Sequence, residues 1–276
     1  MKYLKFVNTD GIGRQLIVHN KMRYFAKKND LKIIFDFRER NYFRGERIDI
    51  EKINKYFVID PSVIYNFDEI DAIPRCEIVN IGNIERITKL YGNSYQSKKE
   101  LELVAEFHSE KNPKLDYLFI KSRDIDINFA DQIKDSVGVH ARLGNGEFDK
   151  IDRHRLIDKD KILKKMYIES DNTSFFVCTD TKSFLDECKE KFKDRVICYQ
   201  RKYVKEGWGP GHNIGYVYKN KEDKKHNSYQ TMHDALSELY FLSLVKKIIH
   251  TGGSFPKYAV DSNIPSINLK RTKNEN

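Results

Sequence analysis

From residue 136 onward the apolar positions fall into short runs separated by segments with a helical period. Runs over 137–141, 174–179, 195–199, 247–250 and 266–269 read as strands. Between them the spacing predicts helices over about 158–169, 181–193 and 229–246, with a short one from Phe255. In the second of these, Phe184, Leu185, Cys188 and Phe192 share one face, and Asp180 or Thr181 stands ready as its cap. Strand, helix and strand repeated in this way imply a parallel sheet with helices on its faces.

The first half follows the same rule less regularly. A strand over 3–7 leads through the turn Asp10-Gly11-Ile12-Gly13 into a helix reaching about Lys28, followed by a strand over 32–37. Further strands are expected at 57–59, 77–81 and 117–120, with a helix over 98–108. Two α/β halves therefore meet near residues 122–135. Ligands of such sheets bind beyond the carboxyl ends of the strands. There is no internal repeat, and the only low-complexity stretch is the polar tail RTKNEN.

Composition narrows this picture without deciding it. A chain of 276 residues can hold one large domain or two modest ones. With 50 Lys and Arg against 41 Asp and Glu the chain is basic, which suits an anionic partner. The cations are interleaved with acids, as in KKELELVAEFHSEKNPK, so a solvated surface accounts for them equally well. No Arg/Gly-rich tail, zinc finger or aromatic RNA-binding motif points to nucleic acid. Cys76, Cys178, Cys188 and Cys198 form no CxxC pair and read as packed thiols. The opening MKYLKFVNTDGIG lacks a continuous apolar region, and no uncharged stretch is long enough to span a bilayer. The expectation is a cytoplasmic protein with no transmembrane segment and at most peripheral contact with the inner face of a membrane.

Three stretches could carry chemistry. In VGVHARLGNGE, strand alternation puts His140 and Arg142 on one side at a carboxyl end, and Gly144 and Gly146 let the backbone turn closely. A guanidinium fork and an imidazole there suit a diphosphate. A strand end with a salt bridge and a glycine turn uses the same residues. In FFVCTDT, helix capping alone would explain Asp180. In HDALSELYFLSLVKKIIHTGGSFPKYA, a helical face of Met232, Ala235, Leu236, Leu239, Leu242 and Ser243 leaves Glu238 on its rim. That carboxylate could point to solvent or accept two hydrogen bonds from a guanine edge. The turn Thr251-Gly252-Gly253-Ser254, opening onto the helix that holds Phe255, offers backbone N–H groups to an anion.

The order HxRxG at one strand end, TD at the next, then ELYFLS followed by TGGS resembles the nucleotide-binding half of α1,6-fucosyltransferases, of both the nodulation and the eukaryotic core type. The early stretch GIGRQLIVHNKMRYFAKKNDLKIIFDFRER is similar to their opening glycine turn and helix. Similarity is dense from 136 to 260 and thin between 40 and 130. The resemblance implies an α/β protein of the GT-B type, two Rossmann-like domains facing a central cleft: residues 1–130 on the acceptor side, 131–276 binding the nucleotide sugar. It further implies an inverting transfer of L-fucose from GDP-fucose, or another GDP-sugar, to an oligosaccharide, glycolipid or polysaccharide hydroxyl. No cofactor and no metal are implied. By position, Arg142 would grip the β-phosphate, with His140 and Gly144 beside the nucleotide and Asp180 at its edge. Glu238 would read guanine where the family has Asp, and Gly252, Gly253, Ser254 and Phe255 would complete the phosphate site. Gly11, Gly13 and Arg14 would line the N-terminal side of the cleft. The family's acid after the glycine is Asn145 here, so Glu147 and Asp149 both stand as the base. The sequence has no counterpart to the coiled-coil and SH3-like parts of the eukaryotic enzymes.

Two other readings compete. A metal-dependent glycosyltransferase could use Asp124-Ile125-Asp126 to hold Mn²⁺ or Mg²⁺, whereas Asp158-Lys159-Asp160 sits at a helix start and favours capping. A non-catalytic binder of an anionic glycan or nucleic acid would keep the fold without turnover and bind in a salt-sensitive way. No GxSxG elbow supports hydrolysis by a serine. The loop 201–225, with Trp208, His212 and several tyrosines, suits either sugar recognition or a surface hairpin.

Overall fold

The computed structural model describes residues 2–7, 12–36, 63–64, 66–82, 97–111, 127–143, 159–201, 203, 228–261 and 266–268. In chain order the first group of elements is β1 (Tyr3–Val7), α1 (Ile12–Lys28), β2 (Lys32–Ile34), β3 (Val63–Ile64), α2 (Phe67–Ala72), β4 (Ile78–Gly82) and α3 (Lys98–Ser109). Then follow α4 (Ile127–Ile133), β5 (Val137–Ala141), α5 (Lys159–Ile168), β6 (Phe175–Thr179), α6 (Lys182–Phe192) and β7 (Val196–Ile197). The chain continues with α7 (Ser228–Leu242), β8 (Lys247–His250), α8 (Ser254–Asp261) and β9 (Ser266–Asn268).

Two sheets result, in the orders β3-β2-β1-β4 and β7-β6-β5-β8-β9, with every described pairing parallel. Each order reverses once, beside β1 in the first sheet and between β5 and β8 in the second. Such a reversal splays the two flanking connections apart and opens a crevice at the carboxyl ends of the strands.

Helix starts are set locally. Ser97 and Glu100 form a reciprocal capping box on α3, and the Asn66 side chain accepts the N–H groups of Asp68 and Glu69 at α2. The second sheet is covered on both faces, which is why β5 and β6 are buried at every position instead of alternating. Val137, Val139, Phe175 and Val177 face α5 and α6, while Phe176, Cys178 and Ile248 face α4, α7 and α8.

Helix α7 serves both halves. Met232, Ala235, Leu236 and Leu239 join the core of the first sheet with Leu4, Phe6 and Val79, whereas Phe241 and Leu242 join the second. Helix α1 lies along both α7 and α8, and Phe255 touches both cores. The expected single stripe on α7 is thus divided between two sheets.

Most expected elements stand where the pattern put them. The helix expected to reach 246 stops at Leu242, because Ser243 and Leu244 donate to the carbonyls of Tyr240 and Phe241 and tighten the chain into a turn. That turn drops Val245 onto β5. Strand β3 and helices α2 and α4 were not anticipated; two residues or two turns are too short for a period to show. The strands expected at 57–59 and 117–120 fall outside the described residues.

Gly138 on β5 is where this packing is tightest: a Cβ there would lie 2.9 Å from Val245 Cγ2 and 3.0 Å from Leu242 Cδ2. Gly138→Ala is therefore expected to destabilise the protein by about 1–3 kcal/mol through overpacking, read as a lower denaturation midpoint in urea.

Candidate functional site

The carboxyl ends of β5, β6 and β8 meet at the reversal of the second sheet. Thr251, one residue past β8, is the joint. Its N–H donates to the His140 carbonyl at 3.1 Å, and its hydroxyl accepts the Arg142 N–H at 3.0 Å. From the β6 side, Asp180 Oδ1 accepts the Leu143 N–H at 3.1 Å, and Oδ2 lies 3.2 Å from Arg142 Nη1 as an ion pair. Arg142 is thus held by its backbone on one flank and by its guanidinium on the other, with about a third of the side chain still open to solvent.

His140 takes the α7/α8 side of the strand, as alternation requires. It is buried and stacks on Phe255, centroids 5.1 Å apart and planes 16° apart. Its Nδ1 has no hydrogen-bond partner among the described residues. Past Thr251 the chain bends through Gly252 and Gly253, with φ of 84° and 91°, values that an L side chain rarely tolerates. The Gly252 N–H donates to His250 Nδ1 at 3.0 Å, and the amides of Gly253 and Ser254 follow it where α8 begins.

A second ion pair stands beside this edge. Glu238, on α7, lies 3.2 Å from Arg201 Nε. Arg201 also donates through Nη2 to the Thr179 carbonyl, and its guanidinium lies 4.6 Å over the Tyr203 ring. The Glu238 side chain is nearly sealed from solvent, at 4% exposure.

No protein-family model and no curated protein sequence matches the chain. Solved structures do. A structure of NodZ α-1,6-fucosyltransferase soaked with GDP-fucose superposes with a TM-score of 0.51 at 15% identity, over 97% of this chain and 95% of that one. Selenomethionine NodZ from Bradyrhizobium gives 0.50 at 16% identity, over 94% and 92%. NodZ co-crystallised with GDP gives 0.50 at 15%, over 94% and 92%. The chain has the GT-B fold.

Within that GT-B frame the structure brings together His140, Arg142, Asp180, Gly252, Gly253, Ser254 and Phe255 at one sheet edge. Gly13 is buried in the first turn of α1 and Arg14 is exposed beside it. Gly11, Gly144, Glu147 and Asp149 lie outside the described residues, as do Asp124 and Asp126 of the DxD. Asp160 sits in the first turn of α5.

Two expectations need correcting. Asp180 does not cap α6: the cap position is Thr181, with no side-chain cap bond, and the Asp180 carboxylate is turned instead toward β5. Glu238 is not on a rim. Helix α7 is enclosed from Met232 to Leu239, because both cores close on it, and Glu238 is one of several polar groups buried with it. Arg201 was missed as a site residue. Nothing in the neighbouring sequence RKYVKEG marks a cation that pairs with a helix 37 residues further on.

Charge in the site follows from burial. His140 is lowered to about 3, first by burial and then by its neighbours His250, Arg142 and Arg201, so it is neutral at physiological pH. Burial also lowers His250, in keeping with its Nδ1 accepting the Gly252 N–H. Burial pushes the Glu238 carboxyl up to about 7, with Asp234 and Asp180 adding to the rise and Arg201 opposing it. Arg201 stays charged above its ordinary range: burial works against the charge, and Glu238 and Tyr203 outweigh it.

A histidine whose folded value is depressed makes the unfolded state the better proton binder. Its contribution to stability is complete above the unfolded value near 6.5 and is lost as pH falls toward 3. Unfolding measured between pH 7 and 4.5 should show His140 costing about 1.4 kcal/mol per pH unit below 6.5. His140→Phe should flatten that slope relative to wild type; parallel slopes would mean that His140 titrates freely.

Proposed function

We propose that the chain is an inverting glycosyltransferase that moves L-fucose from GDP-fucose to a glycan hydroxyl, giving an α-fucoside of the α1,6 kind. The observation that carries the reading is the Thr251 joint, which sets Arg142 and the Gly253–Ser254 amides on one edge where the second sheet reverses. Support for the donor comes from the NodZ structures, one co-crystallised with GDP and another soaked with GDP-fucose. We assign residues 131–276 to the donor and 1–130 to the acceptor.

The reaction breaks the bond between the anomeric carbon and the diphosphate while the acceptor oxygen attacks from the opposite face. Negative charge grows on the departing β-phosphate. Arg142, partly exposed and oriented by Asp180, donates to it, and the two amides at the N-terminus of α8 take a second oxygen. Donors fixed before the reaction need no reorganisation as charge develops, so they can take the part that a metal plays elsewhere. Neutral His140, flat against Phe255, gives the nucleotide an uncharged wall. Glu238 accepts the guanine N–H groups. The acceptor's proton goes to Glu147 or Asp149. The acceptor is an oligosaccharide, glycolipid or polysaccharide.

Binding of a ligand to the folded state alone raises its melting temperature. GDP and GDP-fucose should do so, and UDP and ADP should not at equal concentration; equal shifts with all four would remove the guanine assignment. Arg142→Ala should lower transfer at least about 100-fold, the cost of removing one such charge-stabilising donor, with the unliganded melting temperature kept within a few degrees. Transfer at wild-type rate in that variant would remove Arg142 from the reaction, and transfer abolished by excess EDTA would remove the metal-independent mechanism.

A further inference from the structure

The Arg201–Glu238 pair has a consequence for base selection, resting on the reading of the site as a guanine-nucleotide pocket. Glu238 is enclosed on α7 among groups that disfavour its charge. Asp234 lies one turn back on the same helix and Asp180 follows β6; the buried Cys178, on β6 itself, is held as a neutral thiol by burial. The Tyr203 ring lies 4.6 Å from the Arg201 guanidinium. Arg201 is the one cation among these groups, and it is fixed. Nη2 is bonded to the Thr179 carbonyl, Nε lies 3.2 Å from Glu238 Oε1, and the guanidinium plane rests on Tyr203.

The protonation state of a carboxyl group decides which purine it matches. A carboxylate has acceptors only and suits guanine, which presents N1–H and N2–H₂ donors side by side. A carboxylic acid has one donor and one acceptor, and suits adenine, which presents the N1 acceptor beside the N6–H₂ donor. We propose that Arg201 is the positioning residue that sets base specificity: by pairing with Glu238 it favours the carboxylate over the acid and holds it in one orientation, and so biases the site toward guanine over adenine nucleotides.

The pairing makes selectivity depend on pH in a stated direction. Below the Glu238 value of about 7, affinity for GDP should fall up to tenfold per pH unit while affinity for ADP holds or rises. Arg201→Gln removes the one neighbour among the described residues that lowers this value, so the midpoint of the fall should move to higher pH and GDP should bind at least tenfold more weakly at pH 7. Arg201→Lys keeps the charge and should leave the midpoint near its place, even where loss of the fork weakens binding.

The experiment is a titration of GDP and ADP into wild type, Arg201→Gln and Arg201→Lys from pH 5.5 to 8.5 by calorimetry, with unliganded melting temperatures as the folding control. A folded Arg201→Gln protein with the wild-type GDP/ADP ratio and pH midpoint overturns the proposal. If that variant does not fold, wild type decides alone: a GDP/ADP ratio flat from pH 5.5 to 8.5 overturns it equally. A wild-type protein that binds neither nucleotide at any pH overturns the proposed function itself, which is a distinct result.

Discussion

Thr251 is the residue on which the arrangement of the site depends. Two adjacent parallel strands, β5 and β8, end at the same edge, and past their ends nothing in the ladder holds the chain segments together. One threonine replaces the ladder there, donating to the His140 carbonyl and accepting from the Arg142 amide. The glycine bend that follows can then turn straight into α8, while Arg142 leaves the strand already anchored. Each of these backbone groups would otherwise be partly buried without a partner, a cost comparable to a lost hydrogen bond for each.

The helices on that side of the sheet convert a local joint into a site between two halves. Helix α7 buries one end of its apolar surface against the first sheet and the other against the second, and α8 lies against α1. Phe255, one residue into α8, touches both cores and also carries the His140 ring. An element shared by two cores cannot shift toward one without opening a gap in the other. The edge residues therefore inherit the rigidity of the packing beneath them. The same enclosure takes His140 and Glu238 out of water and displaces the proton affinity of both, in opposite directions because one is charged when protonated and the other when not.

Much of this was legible in the linear pattern, for physical reasons particular to each element. Strands β5 and β8 were found with their full extents because each centres on β-branched residues, Val137 and Val139 in one and Ile248 and Ile249 in the other, set between helical patterns. Helices α5 and α6 were found within a residue or so at each end because their apolar positions recur at the helical period, and the start of α8 was found within one residue after the glycine turn. The grouping of His140, Arg142 and the TGGS turn was legible too, since parallel strands in an α/β chain bring their carboxyl ends to one edge. By contrast, a carboxylate beside a helix start looks the same in sequence whether it caps the helix or crosses to the next strand, and Asp180 crosses.

The sequence by itself determined the longer elements, their parallel arrangement and the edge on which the charged residues gather, because these follow from hydrophobic period and from the geometry of strand crossovers. Only the tertiary structure decided which charges pair. Arg201 reaches Glu238 across 37 residues of chain, and Asp180 reaches Arg142 across 38. It also decided that α7 is enclosed where its sequence reads as half-exposed. Burial and pairing are properties of what lies opposite a residue, and in a parallel sheet that neighbour comes from a distant part of the chain, where no local pattern records it.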